Sequence, residues 1–300
     1  MQKGYQLFFG ILAVMVISWL GLVVFPTVQL GHQSTRQVKE IGRHYPSEPG
    51  SVVLNGRKVY QQAGCVACHT QQVRQSGYAF DVVLNEVGDF PDSVKQILVD
   101  AAKLAGKALS GEEASSQMAQ LPSTLLEGVD RVTAEGVIRL FKDSGAKVAA
   151  NILPLGPDIQ RGWGPRQTVG LDYLYDQPLL MGQQRLGPDL ANVGARLTDR
   201  DWHLKHLYLP RSVVDGSNMP AYTYLFSVQP IDGEPSPDAL ELSEAFSAGE
   251  GMEVVPKPEA HALVDYLMSL RIENPVFEAP YMFTQADPSD INNSEMQPAQ

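Results

Sequence analysis

Cysteine is nearly absent from this chain: there are two in 300 residues. That excludes a disulfide framework. It also argues against a structural zinc site, which needs a second pair of Cys or His ligands at matching spacing. Basic residues are short as well. Lys and Arg number 23 against 34 Asp and Glu, a formal net charge of −11. No basic groove can be proposed, so nucleic acid is not expected as a partner. An acidic surface suits a basic redox partner, but acidic proteins are common and the point has little weight. Internal repeats are absent.

Long hydrophobic runs are equally scarce, and the single one present is informative. From Gly4 to Gly31 no residue is charged, and Leu7 to Val28 is almost wholly apolar. As a helix, Leu7 to Val28 is about 33 Å long at ~1.5 Å per residue, against a hydrocarbon layer of about 30 Å. A cleaved leader has an apolar region of only about 7–15 residues followed by a small-residue cleavage site. Pro26-Thr27-Val28-Gln29-Leu30 offers no such site. The run predicts an uncleaved membrane anchor over residues 1–31.

Both cysteines fall in one stretch, Cys65-Val66-Ala67-Cys68-His69. That spacing reads as a c-type haem attachment site. Two thiols form thioethers to the two vinyl edges of one porphyrin, and the adjacent histidine ligates the iron from below. A thioredoxin-type pair would sit in a βαβ pattern, which is not found around it. The haem reading also sets the topology. Lys3 precedes the anchor, while Arg36, Lys39 and Arg43 follow it. Charge alone would mildly favour a cytoplasmic C-terminal side. Covalent haem attachment in bacteria occurs outside the cytoplasmic membrane, so residues after about 31 are expected in the periplasm.

Residues 32–54 read as a juxtamembrane linker, with His44-Tyr45-Pro46 and Glu48-Pro49-Gly50 as breakers. Asn55 is placed to cap a short helix from Gly56 to about Ala63, ended by Gly64. A long interruption follows, from 77 to about 181. In it, Val94, Ile97, Leu98, Ala101, Leu104, Ala105 and Ala108 predict a helix over Ser93–Leu109. Val137, Leu140 and Phe141 predict a second, weaker one over Glu135–Ala150. Leu153 to Gly170 is rich in Gly and Pro. The interruption is expected to be partly helical, its apolar stripes used for packing.

Further on, Thr198-Asp199-Arg200-Asp201 resembles a capping box for a helix to about Leu209, ended by Pro210. Asn218-Met219-Pro220 and a loop from about Val228 to Pro256 come next. A last helix starts near Pro258 and carries Leu263, Tyr266, Leu267 and Leu270 at helical spacing. Residues 273–300 are rich in Pro, Asn, Asp and Gln and read as an extended tail.

A six-coordinate haem needs a second axial ligand, and methionine with histidine is the pair that raises the potential. Of the nine methionines, Met219 stands apart because Pro220 keeps its segment out of a helix. Met219 is therefore either that ligand or ordinary core filler. His203 and His206, three apart on a helix, are expected to pack or hydrogen-bond. Arg74 and Arg185 are candidates to pair a haem carboxylate, or are solvated charges.

Together these pieces resemble class I cytochromes c. Gly56 and Tyr60 match the family's first-helix pair, and Leu263, Tyr266 and Leu267 its last-helix stretch. Gly187-Pro188-Asp189-Leu190 matches the loop whose proline carbonyl accepts from the proximal histidine. The resemblance implies a Pro188–His69 bond and Met219 as distal ligand. It also implies a mainly α fold: one N-terminal transmembrane helix, then a cytochrome c-like haem domain over 55–272 with a long, partly helical insertion at about 81–181.

More specifically, Cys65 to Arg74, Leu186 to Gly194 and above all Asp201 to Tyr222 resemble the mono-haem subunit of cbb3-type cytochrome c oxidases. The resemblance covers the anchor and roughly residues 55–80 and 160–272. The insertion between about 80 and 160 is longer than that family leads one to expect. The resemblance implies one covalent haem c, held by Cys65, Cys68, His69, Pro188 and Met219, with His69 and Met219 on the iron. It implies an electron relay in the inner membrane, from a di-haem cytochrome c subunit to the haem b of a haem–copper catalytic subunit, with no oxygen-reducing site on this chain. The rival readings are the cytochrome subunit of a nitric oxide reductase, a free-standing anchored carrier, a peroxidase-like enzyme with five-coordinate haem, and a haem-based sensor.

Overall fold

The computed structural model describes residues 2–31, 33–38 and 42–281. Lys39 and most of the expected tail, 282–300, lie outside the described residues.

The apolar run is helical throughout, as α1 (Gln2–Trp19), a π-helical turn (Leu20–Val24) and α2 (Phe25–Leu30). The π turn has a local cause. Pro26 brings no N–H and its ring crowds the preceding turn, and the Phe25 N–H reaches back five residues to the Leu20 carbonyl. The Thr27 hydroxyl donates to the Val23 carbonyl at 2.6 Å. None of Gly4–Gln29 is buried. It is the one helix among the described residues long and apolar enough to cross a membrane. Two short strands, β1 (Arg36–Val38) and β2 (Arg43–Tyr45), pair antiparallel with Arg36 opposite Tyr45. The chain up to Glu48 and Gly170–Gln177 make one compact unit, inside which the Tyr45 hydroxyl donates to Asp172 at 2.7 Å.

The second unit comprises Pro49–Val169 and the chain from Pro178 onward. Among the described residues it holds two large, separate cores and a small cluster of Val73, Ala191 and Ile272. The first gathers Tyr60, Leu190, Val193, Leu204, Leu207, Leu263, Tyr266 and Leu267 from α3 (Ser51–Gln62), the later short helices and the last helix. The second lies wholly within residues 80–150.

Helix α3 begins five residues before the expected Gly56, and Asn55 is an exposed mid-helix residue rather than its cap. Gly50, extended after Pro49, is the N-cap, so Val53, Gly56 and Tyr60 fall on one face. Gly64, at φ +73°, ends the helix in the left-handed conformation.

The expectation of a mainly α fold needs correction. The interruption contains β3 (Gly77–Glu86), α4 (Pro91–Leu104), α5 (Gly111–Ala119), β4 (Ser123–Val129), α6 (Arg131–Leu140) and β5 (Lys147–Leu155). Its sheet has the order β4-β3-β5, all antiparallel. Val82 and Leu84 of β3 pack with Val94, Leu98 and Ala101 of α4 and with Ala134 and Val137 of α6. The expected helix over Glu135–Ala150 is two elements. Asp130 caps α6 by accepting from the Val132 and Thr133 N–H groups. Gly145, at φ +75°, then turns the chain, and Lys147 to Leu155 pair along β3 from Glu86 to Gly77. Helix α4 stops at Leu104 rather than Leu109, just before Gly106 at φ +71°.

After the sheet come α7 (Pro157–Gln160), α8 (Val193–Arg196) and α9 (Arg200–Tyr208). Asp199, accepting from the Asp201 N–H at 2.9 Å, caps α9 in place of the expected Thr198 box. The expected loop from Val228 contains an antiparallel pair, β6 (Phe226–Pro230) with β7 (Met252–Pro256). Pro258 opens α10 (Pro258–Ser269), whose Leu263, Tyr266 and Leu267 are buried. Helices α3 and α10 cross with the Tyr60 and Tyr266 rings 5.2 Å apart.

Candidate functional site

The left-handed Gly64 lets α3 stop and a tight 3-10 turn begin at once over Cys65–Ala67. The His69 N–H donates to the Cys65 carbonyl at 2.9 Å, so the histidine follows its two cysteines within one compact turn. Both cysteines are free thiols; Cys65 is buried and Cys68 half-buried. Burial pushes the Cys65 thiol up to about 11, partly offset by a hydrogen bond from Tyr222.

His69 and Pro188 are 119 positions apart, and His69 Nδ1 lies 2.8 Å from the Pro188 carbonyl oxygen. A carbonyl only accepts, so Nδ1 carries the proton and Nε2 keeps its lone pair. Burial lowers the His69 pKa, with the Pro188 bond opposing it, which favours the neutral, ligating form. The Gly187 N–H donates to the Cys68 carbonyl at 3.0 Å, and the Leu190 N–H to the Thr70 carbonyl at 2.8 Å. The 187–190 loop is thus stitched to the segment that carries the histidine. A Cβ on Gly187 would stand 2.3 Å from His69 Cε1, so only glycine lets the loop approach the ring this closely.

Met219 is half-buried and packs against the core that holds Tyr60 and Cys65. Its N–H donates to Ser217 Oγ at 3.3 Å. The Tyr222 N–H donates to the Leu207 carbonyl at 2.9 Å, which fastens the segment to α9. The contact between Tyr222 and Cys65 brings the methionine segment to the cysteine motif.

The histidines of α9 differ. His203 is buried, and its Nε2–H donates to the Leu197 carbonyl at 2.9 Å. His206 stacks on Trp202, ring centroids 4.7 Å apart and 14° from parallel. Its pKa falls to about 4, chiefly through burial and then through the like charges of His203 and His69.

The two arginines singled out in the sequence differ. Arg74 is exposed, and Arg185 is committed to Asp158 at 2.8 Å. Sequence reasoning passed over Arg196, in the turn after the 187–190 loop. Its Nη2–H donates to the Asp189 carbonyl at 2.7 Å, while its Nε is buried with no partner among the described residues. A buried, unsatisfied guanidinium N–H calls for an acceptor, and a haem carboxylate has the right chemistry. With a neutral imidazole Nε2, two free thiols and a glycine-only loop over the histidine, the donor set fits a haem c.

Residues 149–270 match the family model described as cytochrome c oxidase, mono-heme subunit/FixO. The matched residues include Pro188, Arg196 and Met219, and leave Cys65 to His69 and most of the inserted sheet outside. No curated protein matches the chain. Over residues 149–270 the chain is thus similar to the mono-heme subunit of cytochrome c oxidase, in keeping with its resemblance to the cbb3-type subunit.

Proposed function

We propose that this chain is the single-pass, membrane-anchored electron-relay subunit of a cbb3-type oxidase, its haem domain in the periplasm and its partners a haem–copper catalytic subunit and a di-haem cytochrome c. In this reading residues 1–31 anchor the chain and 32–54 link the anchor to a class I cytochrome c-like domain over 55–272. The α3–α10 crossing supports that fold assignment. Cys65 and Cys68 would hold the haem covalently, and His69 Nε2 and Met219 Sδ would ligate its iron.

The bound haem supplies one-electron redox chemistry. What the protein does is orient and tune. Pro188 holds His69 in one tautomer and one ring orientation, and a hydrogen-bonded imidazole is a stronger donor. The Met219 thioether, as a second ligand, would favour the reduced state and lift the potential. Arg196 offers a buried N–H to a haem carboxylate. With His69 and Met219 both ligating, a bound haem would keep no open position for a substrate, which suits a relay rather than an oxygen-reducing site.

The observation that carries this reading is the 2.8 Å contact between His69 Nδ1 and the Pro188 carbonyl, made under a glycine whose Cβ would strike the ring. The test is a reduced-minus-oxidised visible spectrum of the native complex, pulled from solubilised membranes through this chain. Haem c with haem b, copper and dioxygen consumption is the expected result. Haem c and b with non-haem iron would replace the oxidase by a nitric oxide reductase. Haem c alone after gentle purification would leave an anchored carrier.

A further inference from the structure

The peptide that follows His69 is held by a buried ionic network whose far end belongs to the exit of the inserted sheet. Asp158, on α7, is 2 % exposed. One of its oxygens accepts from Arg185 Nη1 at 2.8 Å, and the other from the Arg74 backbone N–H at 2.8 Å. The remaining donors of Arg185 turn toward the histidine. Nε donates to Thr70 Oγ1 at 2.9 Å and Nη2 to the Gln72 carbonyl at 2.6 Å. The Thr70 hydroxyl in turn donates to Asp189. Fully buried Asp189 also accepts from the N–H groups of Gln72 at 2.7 Å and Ala191 at 2.8 Å. Asp189 is the residue after Pro188.

Two buried carboxylates and one largely buried guanidinium are costly to desolvate, and apolar packing could hold a loop as firmly. What a forked, charge-assisted network adds is direction. It fixes Thr70 and Gln72 against Asp189, and so holds the two segments that present His69 and Pro188 to each other. The exit of the insertion is pinned to the same place. The Ser76 N–H donates to the Leu155 carbonyl at 2.7 Å, and a Cβ on Gly156 would meet Ser76 N at 3.1 Å and the Arg74 carbonyl oxygen at 3.2 Å.

We infer that Asp158 and Arg185 are positioning residues for the proximal ligand: they keep the His69 N–H on the Pro188 carbonyl, and through them the exit of the inserted sheet sets the redox potential of the site. The inference rests on the proposed ligation of haem by His69. A histidine whose N–H is hydrogen-bonded donates more strongly and favours oxidised iron, so loosening the network raises the potential.

The test uses the full chain produced with its haem attached. Haem that stays on the denatured wild-type chain verifies covalent attachment, and a low-spin spectrum of the folded protein verifies the ligation reading separately. A wild type without covalent haem removes that reading and this inference with it. Given haem, the potentials of Asp158→Asn, Arg185→Gln and Thr70→Val are compared. All three are expected to favour the reduced state, by up to tenfold in the redox equilibrium, which is about 59 mV for one electron. Charge alone predicts opposite signs for Asp158→Asn and Arg185→Gln and no change for Thr70→Val. Opposite signs, or an unmoved potential in a haem-bearing Thr70→Val protein, would overturn the inference. Thr70→Val changes neither charge nor size, so it carries the test if either ionic variant fails to fold.

Discussion

Gly56 on α3 and Ala262 on α10 touch through the backbone: a Cβ on Gly56 would stand 1.7 Å from the Ala262 carbonyl oxygen and 2.8 Å from Tyr266 Cβ. The atom that would be struck is main chain, so no rotamer change relieves the clash. Elsewhere in a helix, alanine for glycine is favourable by roughly 0.8–1.0 kcal/mol. Here Gly56→Ala is expected to destabilise by about 1–3 kcal/mol or more, as overpacking does. Urea unfolding of the full chain checks this, with the exposed mid-helix Asn55→Ala as the control that changes little. Equal midpoints for Gly56→Ala and wild type would mean that the helices do not cross here.

Helices were readable from the sequence where one apolar stripe met one buried face. Leu263, Tyr266 and Leu267 are an example: their spacing alone marks the side of α10 that is covered. The strands were not readable, because what defines them is distant. β3 carries Asp81 and Asn85 within its run and has register shifts against both neighbours, which blurs the alternation. β5 contains two consecutive alanines and follows a helix closely enough that its start reads as a helix tail. The left-handed Gly106 and Gly145 fall inside the two expected helices, and both helices end before them. At the site, Cys65, Cys68 and His69 are contiguous and legible as a motif. The approach of Pro188 to His69 was expected only through family resemblance. The Asp158–Arg185 link was invisible, because Asp158 stands in a Gly- and Pro-rich stretch with no periodicity to mark it as buried.

Gly187→Ala tests the close approach of the loop to the histidine. The added methyl would overlap the His69 ring, 2.3 Å from Cε1 and 2.8 Å from Nδ1. Either the ring or the loop must shift, and each shift breaks the hydrogen bond to Pro188. The variant is expected to keep covalent haem, because the cysteines are untouched, but to show a raised potential and an altered axial-ligand signature in the low-temperature electron paramagnetic resonance spectrum. An unchanged spectrum would remove Gly187 from the proximal side.

Acid should destabilise the second unit through the histidines of α9. Burial lowers the pKa of His203, and His206 falls to about 4. In the unfolded chain both return to near 6.5. Between those values the unfolded state binds more protons than the folded state, so stability rises with pH. For His206 the contribution is complete above about pH 6.5 and is lost as pH falls toward about 4, at no more than about 1.4 kcal/mol per pH unit; His203 acts in the same direction. His206→Phe preserves the stack on Trp202 and removes the titration. Its urea midpoint should therefore fall less between pH 7 and pH 5 than that of the wild type. Parallel pH profiles for the two proteins would count against a neutral, buried His206.

The inserted sheet should be removable. Its core is built only from residues within 80–150, and no member of that core belongs to the cluster around Tyr60, Leu263 and Tyr266. Gly77 and Leu155 are paired across the sheet, so the two ends lie about 5 Å apart, a gap that a short glycine linker spans. Excising residues 78–154 while keeping Ser76, Gly156 and Asp158 leaves the network around Arg185 formally complete. The shortened chain is expected to fold, insert through its apolar helix and retain covalent haem. Its potential should stay nearer the wild type than that of Asp158→Asn does, because the tie from Asp158 to Thr70 is intact. The comparison separates two roles for the insertion. A potential shifted as far as in Asp158→Asn would mean that the sheet itself holds Asp158 in place. A potential unmoved by excision yet moved by Asp158→Asn would confine the tuning to α7 and leave the sheet free to serve as an independent surface.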